Sequence, residues 1–168
     1  MKTEKEIFCI DTNVLIQAWQ KYYSPDFCAD YWVILNRLGQ DGRIFIPEAV
    51  RDEINKTEDA LSKWLKESYI PVRRIDELVT KCLKDIYAKD EKHKYLVDNT
   101  KARSIADPWV IAHAIHEQAI VVTKEEKTNV VSSRRIKIPN VCENMGVQWI
   151  DDFGLIRRLG LKFSCVMD

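Results

Sequence analysis

The chain is 168 residues long and 46% hydrophobic, enough to bury the core of one globular domain without disulfide or metal staples. Its 26 basic and 26 acidic residues cancel, which excludes a chain that attracts polyanions by net charge alone. Cys9, Cys28, Cys82, Cys142 and Cys165 contain no C-x-x-C pair, and no apolar run approaches the ~18 residues of a membrane span, so a disulfide framework, a zinc knuckle and a membrane anchor are excluded and a soluble cytoplasmic protein is expected.

Ile7, Phe8, Cys9 and Ile10 form an apolar run without alternation, the pattern of a strand covered on both faces in a parallel sheet. Asp11 stands where that run stops. Val14, Leu15, Ala18, Trp19 and Tyr22 recur at helical spacing until Ser24-Pro25 breaks the helix. Phe27, Tyr31, Ile34, Leu35 and Leu38 mark a second helix, which stops at Gly39 and Asp41-Gly42. Ile44 to Ile46 is a short strand, and Pro47 starts a helix where its missing N–H costs nothing. Residues 55 to 105 are the most charged stretch, with Lys63, Lys66, Arg73, Arg74, Lys81, Lys84, Lys89, Lys92, Lys94, Lys101 and Arg103. Two apolar stripes there, Leu61, Trp64, Leu65 and then Ile75, Leu78, Val79, Leu83, Ile86, predict two or three surface helices with a polar break near Asp90 to Lys94. The charge is either a solvated face or an arm that contacts phosphates or a partner. Asp107-Pro108 predicts a helix capped by Asp107 and running to about Glu117, and Ala119 to Thr123 reads as a strand. Ile136 to Pro139, a turn near Asn144 to Gly146, Val147 to Ile150 and a short helix at about Asp151 to Leu159 complete the alternation. The pattern is that of an α/β protein with a parallel sheet and helices on both faces.

Ligands of open α/β sheets bind beyond the carboxyl ends of the strands, and Asp11 lies at that edge. One carboxylate there is a helix cap, whereas three or four are a site for a divalent metal. Glu53 is the second informative acid: with Val50 at zero on the helical wheel, Ala49, Glu53 and Ile54 project near about −100°, −60° and +40°. Glu53 therefore lies inside the apolar arc, while Glu48 and Asp52 fall on the opposite, wet face. A core-facing carboxylate costs several kcal/mol unless a cation neutralises it, so Glu53 is either salt-bridged or a metal ligand. Asp107 has a complete explanation as a cap, yet the helix it begins feeds the strand at 119 to 123, which puts its start beside Asp11. Thr123-Lys124-Glu125-Glu126 leaves that strand and brings a fourth carboxylate, from Glu125 or Glu126. With four acids neutralised in one site, the remaining surface would carry about +4, a mildly basic frame around an acidic hole. Hard divalent ions held by carboxylates lower the pKa of a bound water and stabilise a leaving oxygen, so the implied chemistry is phosphodiester hydrolysis.

The stretches Ile10 to Leu15, Pro47 to Ile54, Ala106 to Ala112 and Val121 to Glu125 resemble, in that order, the acidic motifs of PIN-domain ribonucleases, including the VapC-type toxins of bacterial toxin–antitoxin pairs. The resemblance implies a PIN-like three-layer α/β/α fold with a central, mainly parallel sheet. It also implies Mg²⁺ or Mn²⁺ dependence, an RNA substrate, frequent homodimers and an antitoxin partner. By carry-over, Asp11, Glu53 and Asp107 match the catalytic, metal-binding acids, Glu125 the fourth ligand, and Asn13 and Thr123 the polar residues that orient them. Two departures stand out: the family usually has Asp where this chain has Glu125 followed by Glu126, and the segment from 55 to 105 is long for the smallest toxins. The stretch Lys137 to Cys142 through Gly146-Val147 looks like a poorly characterised bacterial branch of the family.

Other residues carry less. His113 and His116 project near about −60° and −120° when Val110 is at zero, away from Asp107 at about +60°. The tryptophans sit in apolar stripes, with Trp109 alone beside an acid where it could stack a base. Arg134, Arg135 and Lys137 form a small basic cluster, either solvated or contacting phosphate. Two other functions compete with the ribonuclease. A haloacid-dehalogenase-type phosphatase would want Asp at 13 and Thr at 15, where this chain has Asn13 and Leu15. A non-catalytic PIN-like RNA- or protein-binding module would be marked by loss of an acid.

Overall fold

The computed structural model describes residues 5–97, 105–129 and 135–167. Phe8–Ile10 (β1), Ile44–Pro47 (β2), Val72–Arg73 (β3), Ile120–Val122 (β4) and Trp149–Ile150 (β5) make one sheet in the order β3-β2-β1-β4-β5. Every neighbouring pair is parallel. The unalternating run at the start is the central strand, with Phe8 beside Ile44 on one side and Ile120 on the other. All three residues of β1 are buried, as a strand covered on both faces must be.

The helices are Thr12–Gln17 (α1), extended by a π-helical turn over Ala18–Tyr22, then Ala29–Gln40 (α2), Glu48–Asn55 (α3), Ala60–Glu67 (α4), Glu77–Lys89 (α5), Asp107–Glu117 (α6), Ile138–Met145 (α7) and Asp152–Arg158 (α8). Parallel strands are joined by right-handed crossovers, so the direction of each step fixes the face its helices cover. From β1 through β2 to β3 the chain steps one way and lays α1 to α4 on one face. It then returns past β1 to β4 and β5, laying α5 to α7 on the other. The packing agrees: α1 meets α3 and α3 meets α4, while α5, α6 and α7 pack on one another. The expected α/β arrangement of three layers around a parallel sheet is therefore present.

The structure departs from the sequence reading in four places, each with a physical reason. β3 lies inside the charged stretch expected to be helical; an edge strand of two half-buried residues is too short to show alternation. Its approach is made possible by Gly39, where a Cβ would stand 2.7 Å from the Ile70 Cα. Pro47 closes β2 in extended backbone, at φ −61° and ψ 151°, and the helix begins one residue later. Pro139 opens α7 from inside its first turn, and Gly146, at φ 70°, ends that helix. The polar break near Asp90 is a 3₁₀ turn over Glu91–Leu96 whose His93 is fully buried. His93 Nδ1 donates to the Ile86 carbonyl at 2.6 Å, and Nε2 accepts from Asn144 Nδ2 at 2.9 Å, which fixes its tautomer and ties α5 to α7. Lys101, Arg103 and Arg134 lie outside the described residues. Among those described, no helix is long and apolar enough to cross a membrane.

Candidate active site

The strand order reverses direction between β1 and β4, so the connections leaving their carboxyl ends turn to opposite sides and open a crevice between them. Asp11 leaves β1 into this crevice, and Thr123 to Glu125 leave β4. The two ends are tied together, because the Asp11 N–H donates to the Val122 carbonyl at 2.9 Å. Asp11 is 1% exposed. Its Oδ1 accepts from the Thr12 N–H at 2.7 Å and its Oδ2 from the Thr123 hydroxyl at 3.0 Å. A capping aspartate ordinarily reaches the second or third amide of its helix; this one is bent onto the first.

Two threonines wire Glu53 and Glu125 to Asp11. The Thr12 hydroxyl donates to Glu53 Oε2 at 2.7 Å, while the other oxygen of Glu53 accepts from the Ala106 N–H at 3.1 Å. Thr123 Oγ1 accepts from the Glu125 N–H at 3.1 Å while donating to Asp11. Glu53 forms no salt bridge with another described residue. Thr12 was not picked out by sequence reasoning. Asn13 was, but it is exposed and makes no hydrogen bond to these acids among the described residues. The available signal was position: Thr12 lies one helical turn before Leu15, on the buried stripe.

Asp107 corrects an expectation. It is the first residue of α6, not its cap; Ala106 holds the cap position and contributes no side-chain bond. No hydrogen bond from a described side chain or amide reaches the Asp107 carboxylate, although it is only 8% exposed. Burial first, then the charges of Asp11, Glu125 and Glu53, push its pKa up to about 9, with Lys137 pulling it back. Burial is likewise the main cause raising Asp11 to about 7, followed by the charge of Glu125; the Thr123 and Thr12 hydrogen bonds oppose it, and Glu53 adds to it. These shifts place Asp11, Glu53, Asp107 and Glu125 within electrostatic reach of one another. Glu125 Oε2 accepts from the Ile138 N–H at 2.8 Å, and its Oε1 stands 3.5 Å from Lys137 Nζ. Glu126 is exposed and makes no hydrogen bond or ion pair with these acids among the described residues.

Two cysteines and a histidine near this edge add no charge to it. Burial raises the Cys9 and Cys142 thiols, and the nearby acids raise them further, so both are neutral. His113 is buried with its ring 6.4 Å from that of Phe45, and burial lowers its pKa to about 4. The groups that act on it are Glu117, Asp76, His116 and Glu48, none of them from the crevice. Glu48, assigned to the wet face, accepts the Ile75 N–H at 2.6 Å and anchors the start of the α5 region. Trp109 is half-buried against the core.

Among the described residues, no group of three or more His, Cys, Asp or Glu side chains is drawn close enough to grip one ion. The donor set is nonetheless carboxylate only, the chemistry of Mg²⁺ or Mn²⁺ rather than of a softer metal. Asp107, buried and without a hydrogen-bond donor among the described residues, is the group with most to gain from a cation. Acids spaced around a crevice suit an ion that dehydrates reluctantly and keeps waters of its own.

No curated protein matches the chain in sequence. In fold it is similar to a chain of VapBC2 from Rickettsia felis, solved bound to a DNA fragment from their promoter, with a TM-score of 0.53 and 20% identity over 86% of this chain and 98% of that one. That likeness is one of architecture alone, consistent with a parallel sheet between helices. In sequence the match is to a family over residues 8–163, and the chain belongs to that family, described as a domain of unknown function, DUF4411.

Proposed function

We propose that the protein is a metal-dependent endoribonuclease that hydrolyses RNA phosphodiester bonds at the edge formed by Asp11, Glu53, Asp107 and Glu125, and that it acts as the toxin of a toxin–antitoxin pair. The observation that carries this reading is the meeting of four carboxylates from four separate segments at the switch point of the sheet, with Asp11 and Asp107 raised to about 7 and about 9. Such crowding is costly in a metal-free protein and is relieved by a divalent cation. Asp11, Glu53, Asp107 and Glu125 are the residues that would hold Mg²⁺ or Mn²⁺. The chemistry that ion supplies when bound is activation of an attacking water and neutralisation of charge growing on the phosphate oxygens.

The chain's own groups do the positioning. Thr12 and Thr123 fix the rotamer of Asp11; Thr12 and the Ala106 amide fix Glu53; the Ile138 amide fixes Glu125. Their rigidity matters because small misplacements of a reacting group cost large factors in rate. The Rickettsia felis neighbour, VapBC2, supports an antitoxin protein as partner; a homodimer is the further expectation. The spacing of the acids also suits a non-catalytic PIN-like module that binds RNA or protein, and one assay separates the two. Purified protein is incubated with a labelled RNA pool with and without Mg²⁺ or Mn²⁺, beside an Asp11→Asn control. Metal-dependent cleavage that the control lacks is expected; cleavage equal in the two proteins, or none under any metal, refutes the ribonuclease.

A further inference from the structure

The basic side chains beside the crevice differ in how firmly they are engaged. Lys124 is committed to Asp152, 2.9 Å away, and is 13% exposed. It lies under the rings of Tyr22 and Phe153, at 4.3 and 4.9 Å from their centroids. Lys127 pairs with Glu143 on the surface. Lys137 is different. Its side chain is 47% exposed, and its ammonium stands 3.5 Å from Glu125 Oε1, beyond the ~2.7–2.9 Å of a charge-assisted hydrogen bond. Glu125 does not depend on it, because the Ile138 amide holds the other carboxylate oxygen at 2.8 Å. Among the described residues, Lys137 is also a cation that counters the three acids acting on Asp107.

A phosphodiester approaching a ring of carboxylates meets like charge, and a point charge on a flexible stem at the rim offsets it. We propose that Lys137 is a substrate contact, its ammonium exchanging the Glu125 carboxylate for a non-bridging oxygen of the RNA phosphate at the crevice. This inference rests on the ribonuclease reading and adds to it the group that receives the substrate's charge. The backbone of Lys137 precedes α7 directly, so the ammonium swings from a fixed root.

The test is binding without cleavage. The full chain in EDTA is titrated against a short fluorescein-labelled single-stranded RNA, read by anisotropy, between about 50 and 200 mM salt. Lys137→Met is expected to weaken binding about tenfold, and to reduce the log–log salt slope by about 0.7, the release from one single-strand phosphate. Lys137→Arg is expected to stay within about threefold of wild type, since it keeps the charge. Melting curves of both variants should overlay that of the wild type. Wild-type affinity and slope in Lys137→Met overturn the contact and leave the ribonuclease standing. An Arg variant as weak as the Met variant also overturns it, as the mark of a structural role. Failure of the wild type itself to bind RNA in EDTA also overturns the contact, while the ribonuclease is judged separately by metal-dependent cleavage.

Discussion

Replacing Asp107 with Asn should make the metal-free protein more stable while it removes activity, and the size of the gain should depend on pH. The folded chain holds the Asp107 proton to about pH 9, whereas an unfolded aspartate has lost it above 3.8. Between pH 7 and 8.5, folding must therefore take up a proton, and stability falls as pH rises. The slope for one such proton is up to ~1.4 kcal/mol per pH unit, or about 2 kcal/mol across that window. His113, lowered to about 4, is neutral when folded, and its contribution lies mainly below this range, where it has the opposite sign. Cys9 and Cys142 are common to both proteins, so the difference between wild type and variant reports Asp107 together with its coupling to Asp11, whose pKa near 7 lies at the lower end of the window. Urea unfolding in EDTA, followed by tryptophan fluorescence at four pH values, measures it. Asp107→Asn should lie above the wild type and lose stability less steeply, by about 1 kcal/mol per pH unit. Parallel lines, or a wild type that gains stability towards pH 8.5, would refute the crowded-carboxylate account.

Three further outcomes follow from the same geometry. Mg²⁺ or Mn²⁺ should raise the melting temperature of the wild type and raise that of Asp11→Asn less, through linkage; equal shifts would mark a non-specific ion effect. In the cleavage assay, Glu125→Gln should reduce activity by a smaller factor than Asp11→Asn, while Glu126→Gln and Asp52→Asn stay close to wild type; a severe Glu126→Gln would shift the active register by one residue. Lys124→Met strands the Asp152 carboxylate, 1% exposed, and should destabilise the chain by about 3–5 kcal/mol in denaturant titration; a loss under about 1 kcal/mol would show that Asp152 finds another partner.

The parts of this fold legible in the sequence are those whose burial is extreme. The run from Phe8 to Ile10 has no polar position because both of its faces are covered, and Glu53 stands out because it interrupts an apolar arc. β3 was illegible for the converse reason: two half-buried residues in a basic stretch leave no period to detect. Asp107 was misplaced by one residue, since Asp before Pro fits a cap so well that nothing local distinguishes the cap from the first helical position. At the site, charge was easier to find than support. Chain direction alone brings the four acids to one edge, but the hydroxyls of Thr12 and Thr123 act between segments 41 and 112 residues apart, and no local pattern records such a bond.

Glu125 takes its final orientation from the amide of Ile138. On the ribosome, that amide is made long after Asp11: the intervening chain takes on the order of 10 s at ordinary rates of translation. Late in that interval, once Asp107 has been made, a nascent chain carries three of the acids with nothing to set the fourth. Premature termination anywhere upstream of Ile138 would then release a polypeptide with an incomplete crevice, so competence to cut would arrive only in the last part of synthesis, after most of the message had already been read.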